Sequence, residues 1–260
     1  MDDAVLALHV QTRDRVAVLD ALRAQAAEAG LETTQDDGVA PRPGTVRFLV
    51  APPRGAWVSV YPEESELGRD LCRDLARRLR ARAILVGRLG EAACFYLACD
   101  AEGDPGDEYH SCPEQELESD QEEPDEVTLS ATRGDPARLG ATLGGILAPE
   151  KLGEVLGKAR IERLADCNPD LDRPTVEQTL AALRAALRLP DLWPEFDEVR
   201  HFLAEEDGLD VALLAFRPPA KSRLEPVKAF LARFRRKSPP GPAKGKAEPE
   251  VDAAEDEQAS

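Results

Sequence analysis

The residues with the clearest potential for chemistry lie in one short stretch, GDPGDEYHSC, at positions 103–112. A carboxylate, a phenol, an imidazole and a thiol occur there within six positions. An acid, a base and a nucleophile placed this closely are the components of a hydrolase-like site. The candidate catalytic residues are Asp107, Tyr109, His110 and Cys112.

The local backbone pattern argues against this grouping. Gly-Asp-Pro-Gly at 103–106 is a turn sequence, and the residues after it are expected to form a short strand that pairs with the preceding one. Because side chains alternate along a strand, Glu108 and His110 share one face. Asp107 and Tyr109 share the other. No nucleophile elbow or cysteine-protease signature occurs. We therefore assign no catalytic residue, and interpret the hairpin first as a recognition edge.

The sequence also predicts no metal centre and no cofactor. The potential metal ligands nearest to one another are Cys94, Cys99, His110 and Cys112. Cys94 and Cys99 are five apart on one predicted strand and face opposite sides, and the paired spacings typical of zinc sites are absent. The acidic run 113–126 lacks the ligand order and central glycine of a calcium loop. No glycine-rich phosphate-binding motif follows a strand.

The remaining histidines and the cysteines have structural interpretations. His9 lies in an apolar run and is predicted to be a buried, hydrogen-bonded core residue, whereas His201 is expected near the surface of a helix. The chain has 5 cysteines at irregular spacings, which argues against structural disulfides.

Hydrophobic patterning predicts the elements that must position these residues. We expect strands at 4–10, 45–51, 56–61, 82–90 and 92–100, a loop at 33–44, and helices at 12–29 and from Ser65 onward, with Thr12 and Ser65 as N-caps. This βαββαββ order favours an α+β domain over residues 1–112, an antiparallel sheet with two helices on one face, similar to a split-βαβ sandwich. The opposite face of the sheet would then be free to bind a partner.

The second half of the chain has helical character. The predicted divisions are an acidic linker at 113–130, a helical region at 131–237 and a disordered tail at 238–260. Asp135 and Pro136 are typical of a helix start, and the helical pattern continues through 148–167 and 173–189. Residues 209–216 fit either a strand or a helix.

The net charge of −17 comes from two segments. Thirteen acidic residues lie between Asp100 and Glu126 and six between Glu248 and Ser260, with no lysine or arginine in either stretch. The rest of the chain is close to neutral, so there is no specific nucleic-acid signal. No run is long and apolar enough to span a bilayer, and the N-terminus lacks a signal-peptide pattern. We expect a cytoplasmic protein, and the arginine- and alanine-rich composition suggests a bacterial source.

One basic amphipathic segment, 226–237, has two interpretations. Its lysines and arginines around Phe230 and Phe234 could contact an anionic membrane surface or RNA. A terminal helix that packs on the rest of the protein explains the same pattern, and we favour that interpretation.

Four segments together resemble a group of uncharacterised bacterial proteins. They are GAWVSVYPE, CFYLACDAEGDPGDEYHSCPE, RGDPARLGATLG and LWPEFDEVRHFL, within about residues 45–205. In that group a strand with Trp and Tyr is followed by a helix, a hairpin with a D-x-Y-x-S-x-P-like turn, and a helical C-terminal half. The acidic insertion after Pro113 and the charged tail depart from the group. No activity is assigned to it, so the resemblance implies no catalytic residue.

These observations favour a non-enzymatic module that binds a protein partner or has a regulatory role. The alternative is a small hydrolase-like enzyme with its site at the 107–112 hairpin. An enzyme should have a pocket with convergent polar groups and a shifted pKa at the hairpin. A binding module should instead have an exposed apolar patch.

Overall fold

The computed structural model describes residues 4–34, 44–64, 67–90, 92–113, 126–162, 173–190, 196 and 211–217. The strands in these ranges are β1 (Ala4–Val10), β2 (Glu32–Thr34), β3 (Val46–Val50), β4 (Val58–Pro62), β5 (Ala83–Leu89), β6 (Ala93–Cys99), β7 (Pro105–His110) and β8 (Ala212–Arg217). The helices are α1 (Arg15–Glu28), α2 (Gly68–Leu79), α3 (Glu126–Ala131), α4 (Pro136–Leu143), α5 (Pro149–Ala159) and α6 (Val176–Leu187).

The strands form one antiparallel sheet in the order β2-β8-β3-β4-β1-β5-β6-β7. This confirms the predicted α+β class and the antiparallel sheet. The structure adds β2, whose last two residues lie in the stretch 33–44 that was expected to be loop, and it contains β7, the short strand expected after the turn. It also resolves the open question at 209–216, because β8 is a strand that lies between β2 and β3. The predicted domain boundaries themselves stay a prediction.

Helices α1 and α2 cover one face of the sheet, as predicted. Leu71 and Leu75 of α2 are fully buried in the core between the helices and the sheet. Gly68 starts α2 so close to the strands that an added Cβ would come within 2.9 Å of the Leu6 and Leu85 side chains. Because each fully buried leucine contributes roughly 2 kcal/mol, this apolar layer is a major source of the fold's stability.

Helices α4, α5 and α6 contribute to a second core on the opposite face of the sheet. Their leucines pack with Ile84, Val86 and Tyr96 from β5 and β6. The expectation that this face would be free to bind a partner is therefore wrong over β5 and β6. Local sequence patterns did not indicate this packing, because the covering helices lie more than thirty residues further along the chain.

The ends of three helices follow from local hydrogen bonding. Asp135 caps α4 by accepting from the amide of Ala137 at 2.8 Å, as predicted. A reciprocal capping box between Thr175 and Gln178 starts α6. The predicted cap of α1 is wrong, because Asp14 caps that helix and Thr12 instead accepts from the Asp14 amide.

Several predictions fall outside the described residues. They concern the Ser65 cap, Cys167, His201, the basic segment 226–237, the tail 238–260 and nearly all of the acidic run 113–126.

Candidate functional site

The four candidate catalytic residues do not meet in one place. The hairpin forms as predicted, with Tyr96 opposite Tyr109 and Phe95 opposite His110 in the β6–β7 register. Asp107 and Tyr109 project toward α4 and α5, whereas His110 projects to the other face beside α2. Cys112 is buried just beyond the strand. The alternation predicted from the sequence is confirmed, and it separates the imidazole from the carboxylate of Asp107.

Asp107 anchors the start of α4 to the sheet. Its carboxylate accepts from the Tyr96 hydroxyl at 2.7 Å and from the backbone N–H of Asp135 at 3.0 and 3.1 Å. Burial raises the pKa of Asp107, although the hydrogen bonds from Tyr96 and Asp135 act in the opposite direction. With only 2% of the residue exposed, this carboxylate is a structural anchor more than a group that a substrate could reach.

Tyr109 is held by packing and by one hydrogen bond. Its ring stacks on Tyr96 with 5.7 Å between centroids, and its hydroxyl donates to the carbonyl of Leu156 at 3.0 Å. Burial raises its pKa, so the phenol stays protonated. Gly134 lies against both rings, where an added Cβ would be 2.8 Å from the Tyr96 hydroxyl. The two tyrosines thus form a packed support for the loop before α4.

On the opposite face, His110 belongs to a polar cluster with Arg69 and Glu108. The His110 Nε2 lies 2.7 Å from an Arg69 nitrogen and 2.7 Å from a Glu108 oxygen, and Arg69 also pairs with Glu108. Burial would raise the pKa of Glu108, but the hydrogen bond with His110 and the charge of Arg69 outweigh it and lower the pKa to about 2. Arg69 also covers the ring of Phe95, at 5.7 Å. This cluster fixes α2 to the hairpin.

The outer edge of β7 is occupied by hydrogen bonds from within the chain. The carbonyl of Gly106 accepts from Arg138, and that of His110 accepts from Arg160. The His110 amide donates to Thr132, and the amide of Ile161 donates to the next carbonyl, that of Ser111. An added strand would have to displace these bonds, so the interpretation of the hairpin as a backbone recognition edge is not supported.

A pocket of about 340 Å³ lies between the end of α3, the start of α4 and β7. Its lining residues are Asp107, Ser130, Ala131, Arg133, Gly134, Asp135, Pro136 and Arg138. Polar and charged side chains thus converge beside the hairpin, and one of them, Asp107, has a raised pKa. Of the four candidate residues, only Asp107 contributes to the pocket.

Two arginines form the rim of this pocket. Arg138 donates from Nε and Nη2 to the carbonyl of Gly106, at 3.2 and 2.8 Å, which leaves its Nη1 without a partner among the described residues. Arg133 donates from Nη2 to Glu162 at 3.0 Å. The two side chains are 59% and 58% exposed. Sequence reasoning recognised the Asp135 cap in this RGDPAR stretch but missed the arginines around it, because only the fold brings them to the hairpin.

His9 has the structural role that the sequence predicted. It is fully buried, and its Nδ1 lies 2.9 Å from the hydroxyl oxygen of Ser59 on the neighbouring strand. Burial, helped by the charge of Arg184, lowers the pKa of His9 to about 3, so the ring is neutral at physiological pH. A histidine and a serine are thus paired, but both are buried away from solvent, and Ser59 is only 2% exposed.

No known protein family, curated protein or solved structure matches this chain. The resemblance to a group of bacterial proteins therefore stays a prediction. Among the residues that the structure describes, no three side chains of histidine, cysteine, aspartate or glutamate gather as metal ligands would. None of the described helices has the length and apolar character needed to cross a bilayer.

Proposed function

We propose that this protein is a non-enzymatic binding module that recognises a carboxylate-bearing group of a partner protein at the rim formed by Arg133 and Arg138. The observation that carries the proposal is the pair of exposed guanidinium groups at the mouth of a polar pocket. Guanidinium groups present planar, bidentate donors that match the geometry of a carboxylate.

The positions of the two arginines favour recognition over simple solvation. Arg138 is held by two hydrogen bonds to one carbonyl, so less side-chain entropy is lost when it binds a ligand. The Arg133–Glu162 pair is exposed on both sides, and such surface pairs contribute little, so a ligand carboxylate can compete for Arg133.

The geometry favours binding over the hydrolase alternative. A polar pocket and a raised Asp107 pKa are present, as an enzyme would require. Yet the carboxylate of Asp107 is occupied by Tyr96 and Asp135, and His110 lies on the other face of the sheet. Catalysis needs a nucleophile and base within reach of one another and of the substrate.

The apolar patch expected of a binding module is not seen among the described residues. Their exposed large hydrophobic side chains are only Val16, Val127 and Leu147, which are widely separated in the sequence. We therefore propose polar recognition in its place. We also propose a bacterial, cytoplasmic setting, supported by the composition and by the four described cysteines, which are all unbridged thiols.

The test uses a fluorescently labelled peptide with three glutamates among glycine and serine residues, and its glutamine counterpart. Fluorescence anisotropy should show weak binding of the glutamate peptide. The affinity should fall roughly tenfold in Arg133→Gln/Arg138→Gln, which corresponds to a loss of about 1.4 kcal/mol of binding free energy. The matched control, Arg23→Gln/Arg77→Gln, changes the net charge equally at two other exposed arginines and should bind as the unmodified protein does. Equal weakening in both double variants, or equal binding of both peptides, would contradict the proposal.

A further inference from the structure

Two buried cysteines face each other between α2 and β6. The Sγ atoms of Cys72 and Cys99 are 3.8 Å apart, and both residues are completely buried. Cys72 lies in the middle of a helix, and Cys99 is the last residue of the strand beneath it. A thiol contact between separate elements is what a disulfide requires, because a modest rotation of both side chains can bring the sulfur atoms together.

The pair lies next to an exposed turn that offers a route for a small oxidant. Cys99 is followed directly by the turn 100–104, in which Glu102 and Asp104 are exposed. This turn packs on α2 through Gly103, where an added Cβ would come within 2.5 Å of the Arg73 carbonyl oxygen. Opening of 100–104 has to break the hydrogen bonds that close the turn, such as that from the Gly103 amide to the Asp100 carbonyl at 3.1 Å, but it would uncover Cys99 without unfolding the sheet.

Cys94 has a different environment. It lies on the other face of the sheet, where its neighbour is the Ser111 hydroxyl, which accepts from the Cys94 amide at 2.9 Å. At Cys72, by contrast, burial, the hydrogen bond with Cys99 and the charge of Cys99 raise the pKa, so the closed structure keeps the Cys72 sulfur as a thiol.

We propose that Cys72 and Cys99 are an oxidisable dithiol pair that a hydroperoxide converts to an intramolecular disulfide. With hydrogen peroxide as the oxidant, one cysteine, deprotonated when the turn opens, attacks one oxygen of the O–O bond and becomes a sulfenic acid, while the other oxygen takes up a proton and leaves as water. The second thiol then attacks the sulfenic sulfur and forms the S–S bond, and the hydroxyl leaves as a second water. Two electrons pass from the thiols to the peroxide. The product ties α2 to β6.

The experiment treats the folded, fully reduced protein with hydrogen peroxide, alkylates the remaining thiols in denaturant and maps linked peptides by mass spectrometry. We expect a loss of about 2 Da before alkylation and a peptide that joins Cys72 to Cys99. The urea midpoint should rise and should return to its starting value with dithiothreitol. Cys72→Ala and Cys99→Ala should each abolish the link, whereas Cys94→Ala should retain it.

Several outcomes would overturn the proposal. They are complete alkylation of all the cysteines, oxidation of Cys72 or Cys99 to sulfinic acid without a link, and a link that joins other cysteines. A Cys72–Cys99 link that forms only in partly denaturing urea would also overturn it, since the folded geometry would then not be competent. None of these outcomes bears on the arginine rim.

Discussion

The buried neutral His9 should make the stability of this protein depend on pH in a defined window. In the unfolded chain a histidine binds a proton below a pKa of about 6.5. In the folded protein the pKa of His9 is lowered to about 3 by burial and by the charge of Arg184. Between these values the unfolded state binds more protons, so acid favours unfolding and the free energy of unfolding falls as pH falls.

The expected size of this effect follows from the shift. Each pH unit below 6.5 is worth about 1.4 kcal/mol, so lowering the pH from 7 to 5 should cost roughly 2 kcal/mol through His9 alone. The window for Glu108 lies at lower pH. Its pKa is near 4.5 in the unfolded chain and about 2 in the folded protein, so Glu108 contributes its full stabilisation above pH 4.5 and loses it as the pH falls toward 2.

The assay is urea unfolding of the unmodified protein and of His9→Asn at pH 7 and pH 5. Asparagine can still reach the Ser59 hydroxyl from near the Nδ1 position but does not titrate. The variant will be less stable at both values because it leaves a cavity, so the informative quantity is the difference in pH dependence. The unmodified protein should lose roughly 2 kcal/mol more than the variant. Identical losses would refute a buried, neutral His9, since the other titratable groups cancel in the comparison.

Three further substitutions are tested by urea unfolding, two in the support of the pocket and one at the start of α6. Asp107→Ala should cost about 3 kcal/mol because it leaves the Tyr96 hydroxyl and the Asp135 amide without their acceptor, and a loss under 1 kcal/mol would contradict the anchor. Gly134→Ala should cost about 3 kcal/mol, since its φ is +69° and the methyl would meet Tyr96. The control is Gly30→Ala, which has a similar φ of +74° but open space around the methyl, and it should cost less. Thr175→Ala should cost about 1 kcal/mol by removing the cap of α6, and Thr175→Ser should restore most of it; equal losses would exclude the capping box.

Local sequence signals predicted the parts of the fold that depend on near neighbours. The apolar run at β1, the alternation along β7 and the Asp135 cap are set by residues a few positions apart, and each was predictable. The Thr12 cap was wrong by two residues because Asp14, also a good cap, was available beside it.

The parts that were not predictable depend on distant pairing. β2 has only three residues, Glu32–Thr34, and none is apolar, so its strand character comes from pairing with β8 more than 170 residues later. The pocket also depends on contacts between residues that are distant in the sequence. Asp107 and Asp135 are 28 positions apart, and no local pattern indicates that the carboxylate of one binds the amide of the other. The candidate residues were recognised by type, whereas their partners required the fold.

The most direct test of the proposed function is a site-resolved titration. Two-dimensional ¹H–¹⁵N spectra of the full chain should be recorded as the glutamate peptide is added, with the glutamine peptide as control. The proposal predicts saturable shifts centred on the backbone amides of 130–135, 137 and 138 and on the Arg133 and Arg138 side-chain Nε–H signals. Shifts centred on His110 and Arg69, or a response that is the same for both peptides, would contradict recognition at the arginine rim.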